Sequence, residues 1–528
     1  MSEVSEQDLN AGRIEGGIDA IVIGASADGL AAAAYLGKAG LHTVLLDSGA
    51  EIGAQIRARE FAPGAICIDG EHLISSLDPE TIDDLDLYRR GVSYAARRID
   101  MTYFFANGET LEVEGDVMNA APNIDDDEGG GRAFQQFIQQ LLDRAALLRP
   151  AFEAAAPASR GRSRLRAMEK VIDANPDMAR LMERYATAAA DVMLDQYLPD
   201  GLLKTALLNE TVFRSAAAAH EPYSFMNLLR NWSGESSGLQ AAIAYPEGGT
   251  IAVINALRRA VQAAKVEIRA ASPVKKILIE RDNIAGVQLE NGGQIRAPII
   301  VAAMDARRVF LNMIGAENID IDFQRAISAA RPTISSARLH LQLKGFARDE
   351  KTKANMRRRL VYALAPDALR RSFAVARAGE VPDDLMLEAI FPNAIDETAA
   401  GENSQIMSIM AHPLPFDKEP DPSRRDEIKS AILANLEKFA PDITGRIFDL
   451  MLAPDLASIT GGHAAAYAAK PGVMQQWALA GMAVTAGRIG GLYFCGPEAQ
   501  IGHGLSCAAG RVAARAALRH AKHGEVAA

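Results

Sequence analysis

The stretch from Asp19 to Asp47 constrains the fold more than any other part of this 528-residue chain. Ile21-Val22-Ile23 is a short β-branched run, the pattern of a strand buried on both faces. The turn Gly24-Ala25-Ser26-Ala27-Asp28-Gly29 follows, and then Leu30 to Ala39, rich in alanine and leucine, which are good helix formers. Gly40 stands where such a helix would end, and Thr43-Val44-Leu45-Leu46 restores the strand pattern. The stretch predicts a βαβ unit at the front of an α/β fold with a parallel sheet.

The turn resembles a dinucleotide fingerprint. In that pattern the first glycine makes the tight turn and the second lets backbone approach a pyrophosphate. The third lets helix and strand pack closely. Phosphate then lies at the helix N-terminus, where free N–H groups and the helix dipole favour an anion. Here Ser26 replaces the middle glycine; it is small, and its hydroxyl can donate to phosphate. Asp47, at the end of the second strand, is placed to accept ribose hydroxyls. Gly24, Ser26, Gly29 and Asp47 are therefore the first candidate cofactor residues. This motif alone does not separate FAD from NAD.

Composition narrows the function classes. The net charge of −11 argues against nucleic acid, whose phosphates require a basic footprint. Cys67, Cys495 and Cys507 are too few for a disulfide framework and lack metal-ligand spacing, so a reducing compartment and no metal site are expected. No Cys-x-x-Cys pair supports disulfide reductase chemistry. No basic segment leads into an apolar one near residue 1, and no apolar run approaches the roughly 18 residues that span a bilayer. The expectation is a cytoplasmic protein with peripheral membrane contact left open, and with a homo-oligomer equally open.

Further along, Asp116 to Gly131 reads as an exposed acidic and glycine-rich loop, and Arg132 to His220 as mostly helical. Strand patterns return at Val266–Arg269, Val274–Glu280 and Ile299–Ala302, with a hairpin turn at Asn291-Gly292-Gly293. Ser336 to Leu343 alternates polar and apolar as a half-buried strand does. Lys351, Lys353, Arg357 to Arg359, Arg370 and Arg371 read as a solvated helix face, with a membrane surface or partner as the alternative. Gly491 to Arg519 reads as strand, glycine-studded turn and alanine-rich helix.

That last unit carries a family resemblance. Gly491-Leu492-Tyr493-Phe494-Cys495-Gly496, then Gly502-His503-Gly504 and Ala508-Ala509-Gly510-Arg511, is similar to the closing FAD motif of the phytoene desaturase family. Glu51-Ile52-Gly53-Ala54-Gln55 with Asp69-Gly70-Glu71-His72 resembles the family's second glycine motif. Tyr245 to Thr250 and the strand from Val274 resemble its middle segment. Within the family, the branch of pyridine nucleotide-disulphide oxidoreductase domain-containing proteins is the nearest in pattern, on Ala453-Pro454-Asp455-Leu456 and Gly461-Gly462-His463.

The resemblance implies FAD as cofactor, with Gly53, Val274, Gly496, Glu498, Gly504 and Leu505 added to the cofactor residues. Val274 would lay backbone against the adenine, and Glu498 would bond ribityl hydroxyls. His503, inside the turn expected to face the flavin, and His463, on the substrate side, are the candidate catalytic residues. Departures from the family pattern fall near that chemistry: no second histidine follows His463, Ala54 replaces a glycine, and Ile501 and His503 replace proline and glycine.

The predicted architecture is a discontinuous Rossmann-type FAD domain of the glutathione reductase/amine oxidase kind, from 15–115, 240–305 and 480–528. A mixed α+β substrate domain with a helical cap is predicted from 116–239 and 306–479. The expected activity is dehydrogenation or desaturation of an apolar or amphipathic small molecule. Alternatives are an amine oxidase-like flavoenzyme, a flavin-dependent isomerase, and a non-enzymatic lipid or protein binder resembling GDP-dissociation inhibitors.

Overall fold

A computed structural model describes residues 14–525, apart from 16, 54–55, 115–129, 153–170, 214, 216, 320, 330–332, 346–349, 397–404, 418–419, 454–488 and 500–504. Two sheets organise the molecule. The first is five-stranded and parallel, in the order Glu267–Arg269, Thr43–Leu46, Ala20–Ile23, Ile299–Ala302, Leu492–Phe494. Ala20–Ile23, Thr43–Leu46, Ile299–Ala302 and Leu492–Phe494 are buried along their whole length, as a parallel sheet covered on both faces requires. The helices Ile251–Ala263 and Ala508–Glu525 both pack on the helix Ala27–Lys38 beside it.

The front unit forms as its pattern predicts, and the remaining strands of this sheet come from the middle and end of the chain. A small antiparallel meander, Val274–Glu280, Asn283–Leu289 and Gln294–Arg296, leads into Ile299–Ala302, and Ile14–Glu15 joins its edge. The hairpin is therefore where the turn residues put it. The α/β fold with a Rossmann-type parallel sheet stands.

The second sheet has seven strands, in the order Ile447–Leu452, Ile334–Leu343, Gln405–Pro415, Met386–Ile390, Arg359–Ala363, Met101–Phe105, Thr110–Val113. Met101–Phe105 and Thr110–Val113, inside the 15–115 stretch, pair with this sheet and not with the parallel one. Helices Gly130–Phe152, Pro176–Tyr185, Ala190–Asp195, Leu202–Val212 and Ser224–Ser233 share its hydrophobic core.

Two expectations change here. Ile334–Leu343 is buried at every residue, not half-buried, because its polar side chains face a second layer of protein instead of water. The basic stretch is not one solvated helix: it divides into the helix Glu350–Met356, the strand Arg359–Ala363 and the helix Pro366–Arg377. Arg359 is only 2% exposed, which an apolar neighbourhood tolerates only with paired charges. Among the described residues no helix is long and apolar enough to cross a membrane.

Candidate functional site

The front turn is held by close contacts that exclude larger residues. Gly24 has φ of +96°, and a Cβ there would lie 2.7 Å from the Ala303 carbonyl oxygen. A Cβ on Gly29 would drive into the Gly24 carbonyl. Both positions thus require glycine, one for its dihedral and one for helix-to-turn approach. Ser26 caps the helix Ala27–Lys38, its Oγ accepting from the Gly29 N–H at 3.3 Å.

Asp47 is buried at the carboxyl end of its strand. Its Oδ2 accepts from the Ala25 N–H at 2.6 Å and its Oδ1 from the Gly49 N–H at 2.7 Å. The aspartate therefore fixes the turn, and each oxygen keeps lone-pair capacity for a further donor. The Ser272 N–H donates to the Asp47 carbonyl at 2.7 Å, bringing the approach to Val274 alongside the same strand end. Val274 is buried at the start of its strand. Gly53 has φ of +112° and sits against Ile254, where a Cβ would meet Cγ2 at 2.7 Å.

The helix Ala508–Glu525 brings its N-terminus to the N-terminus of Ala27–Lys38. Asp28 joins them, its Oδ1 accepting from the Gly510 N–H at 2.9 Å. A Cβ on Gly510 would clash with the Asp28 carbonyl, so the helices touch through backbone. The Ala508 N–H donates to Ser506 Oγ at 3.3 Å, so the first amides of the closing helix are used within the protein and the N-terminus of Ala27–Lys38 is the end left for a pyrophosphate. Burial, with a contribution from the Asp78 charge, pushes the Asp28 carboxyl up to about 6 against the pull of the Gly510 and Ala509 amides. No pattern in the sequence marks Asp28, because its partner lies 482 residues away.

Gly496 follows Leu492–Phe494, and a Cβ there would run into the Met304 carbonyl. The Pro497–Ala499 turn carries Glu498, whose side chain lies outside the described residues, and Leu505 is buried just before the closing helix. His463, His503 and Gly504 also lie outside the described residues. These strand-end and turn residues thus gather at one edge of the parallel sheet. The cradle fits FAD: two glycine approaches, a strand-end carboxylate and a helix N-terminus are what its pyrophosphate and ribose require.

The chain from Gly70 to Asp78 leads from the large sheet to this cradle. At its far end, Asp78 donates its N–H to the Ser506 carbonyl at 2.9 Å and pairs with Arg511 through both oxygens, at 2.7 and 2.9 Å. At its near end, His72 Nε2 meets Glu388 Oε1 at 2.8 Å, and Arg338 donates to His72 Nδ1. Glu388 also binds Arg359, which reaches Glu210 at 2.6 Å; Tyr103 donates to Glu210 at 3.0 Å. Arg338, Arg359, Glu388 and His72 are all at most 3% exposed.

In the sequence His72 stands out only as the end of the second glycine motif, and the rest of this network carries no motif. One signal was available: single charges set in apolar strands, Glu388 in Met386–Ile390 and Arg338 in Ile334–Leu343. Such charges are rarely fully buried unless paired. Cys495 and Cys507 are buried, and burial pushes both thiols well up, which makes them poor nucleophiles.

Comparison with known proteins agrees with this geometry. A family described as flavin containing amine oxidoreductase matches residues 29–515. Pyridine nucleotide-disulfide oxidoreductase domain-containing protein 2 of Rattus norvegicus is 25% identical over 96% of this chain and 94% of its own length. Phytoene desaturase of Neurospora crassa is 22% identical over 72% of this chain and 63% of its own. A triple mutant of putrescine oxidase shares the fold, with a TM-score of 0.62 and 14% identity over 97% of this chain and 100% of that one.

Proposed function

Because this chain belongs to the flavin containing amine oxidoreductase family, with FAD as its cofactor, we propose that it dehydrogenates an apolar or amphipathic small molecule by removing hydride from a C–H bond. The observation that carries the reading is the Gly70 to Asp78 segment, which ties the cofactor cradle to a fully buried charged network. His72 and Asp78 are six residues apart, so the two features lie within about 20 Å of each other.

The turn from Gly24 to Gly29, with Ser26, takes the pyrophosphate, and Asp47 takes the ribose while keeping the turn in shape. Val274 backs the adenine, and Gly53, Gly496, Glu498, Gly504 and Leu505 follow the remainder of the cofactor. The chemistry supplied by bound FAD is acceptance of a hydride from carbon. Arg338 and His72, locked by Glu388, orient a polar group of the substrate, while the apolar strands around them exclude water. His503 and His463 are assigned the proton handling on the substrate side. The family description favours one second reading, in which the oxidised carbon bears an amine.

Anaerobic incubation of the yellow protein with a fractionated metabolite extract tests the proposal. Bleaching of the flavin by an apolar or amphipathic fraction is expected, and mass spectrometry of that fraction should show a product lighter by two hydrogens. Bleaching only by a panel of amines supports the second reading. A flavin that no fraction reduces overturns both.

A further inference from the structure

The polar side of the large sheet carries a second cluster, next to the charged network. Cys67 and Asp69 are two residues apart on the strand Ala65–Asp69 and so share one face of it. His340 lies two residues beyond Arg338 on Ile334–Leu343, on the same face of that strand. One potential ligand atom from each of Cys67, Asp69 and His340 lies within 4.8 Å of the others, and all three residues are buried.

The hydrogen bonding there is incomplete. Neither ring nitrogen of His340 has a hydrogen-bond partner, nor does Asp69 Oδ1, and the His340 side chain is 0% exposed. Leaving such groups bare in a buried site is unfavourable unless a further partner satisfies them. His340 Nε2 and Asp69 Oδ1 are 3.7 Å apart, too far for a hydrogen bond. The gap is instead near the spacing of two ligands on one ion, since bonds of about 2.0–2.2 Å at tetrahedral angles separate nitrogen and oxygen by roughly 3.4 Å.

We propose that Cys67, Asp69 and His340 bind one divalent metal ion of the zinc class, through Sγ, Oδ1 and a ring nitrogen. A mixed thiolate, imidazole and carboxylate set selects zinc over magnesium or calcium, which take oxygen ligands. Three protein ligands leave a fourth position for water. Arg59 Nε donates to Asp69 Oδ2 at 2.9 Å, which leaves Oδ1 directed at the cluster. Each ion bound releases the Cys67 thiol proton to solvent, so charge and atoms balance. The site is independent of the substrate reading.

The test is a cobalt titration of the zinc-stripped, flavin-loaded protein, followed by difference absorption. A thiolate-to-cobalt charge-transfer band saturating near one ion per chain is expected, displaced by added zinc. Cys67→Ser should abolish the band while leaving the flavin spectrum in place. His340→Gln, a second variant, should weaken cobalt binding at least tenfold. Absence of the band in the wild-type protein overturns the proposal, and so does a band that survives unchanged in folded Cys67→Ser.

Discussion

Gly29 and Asp28 stand side by side and show two kinds of residue-scale constraint. Gly29 has no room for a methyl group against the Gly24 carbonyl, so Gly29→Ala must push the helix away from the turn. Overpacking of this sort costs about 1–3 kcal/mol, and here the displacement falls on the cofactor cradle. The variant should retain its fold and lose most of its FAD, read as the flavin-to-protein absorbance ratio after gel filtration. Asp28 is constrained by charge. Its folded pKa, about 6, lies above the ordinary 3.8, so the folded chain holds the proton more tightly than the unfolded one. The resulting stabilisation is present below about pH 4 and is lost as pH rises through about 6, a change on the order of 3 kcal/mol. Asp28→Asn keeps an acceptor for Gly510 and removes the charge. Thermal melts of the FAD-free protein should show it above wild type at pH ~8, with the gap closing towards pH ~5. A variant that melts lower at both values would mean the ionised carboxylate is favourable.

At the scale of elements, the closing helix is anchored through Arg511. The Arg511–Asp78 pair is bidentate and buried, and Asp78 also caps the helix Pro79–Asp84 by accepting from the Thr81 N–H at 2.8 Å. Removing the arginine leaves an uncompensated buried carboxylate, which costs about 3–5 kcal/mol. Arg511→Met should lower the urea midpoint substantially. Adding Asp78→Asn should recover part of that loss, because the stranded charge is then gone; no recovery would show that packing, not charge, dominates. The long strand Ile334–Leu343 illustrates how far an element can be read. Its alternation gives the right period and the wrong environment. Ser336, Arg338, His340 and Gln342 look like a solvent face by residue type, yet all four are buried by segments far away in the chain.

Across the whole molecule, Glu388 connects the two sheets' territories: it holds His72 from the segment leading to the cradle and Arg359 from the large sheet. Glu388→Ala removes the carboxylate that faces His72 and leaves Arg359 with Glu210 as its carboxylate partner, and a loss of about 3–5 kcal/mol is expected. Glu388→Gln keeps one acceptor and should cost less. In the folded Gln variant FAD content should be unchanged while flavin reduction by substrate slows, which separates this network from the cradle. Equal loss of FAD and of reduction would place the network's effect in folding alone.

The sequence by itself determined the front βαβ unit, the two obligatory glycines of its turn and the hairpin at Asn291-Gly292-Gly293. These are local features, set by side-chain period, turn dihedrals and short-range sterics over a few residues. Tertiary structure alone decided that Asp28 meets Gly510, that Asp78 meets Arg511, and that His72, Arg338, Glu388 and Arg359 form one network. It alone brings Cys67 and Asp69 to His340, where cysteine spacing had suggested no metal. The physical reason is that a charge or a ligand gains its function from its partner and its burial. Both are set by which distant strands pack together, and no local pattern records that.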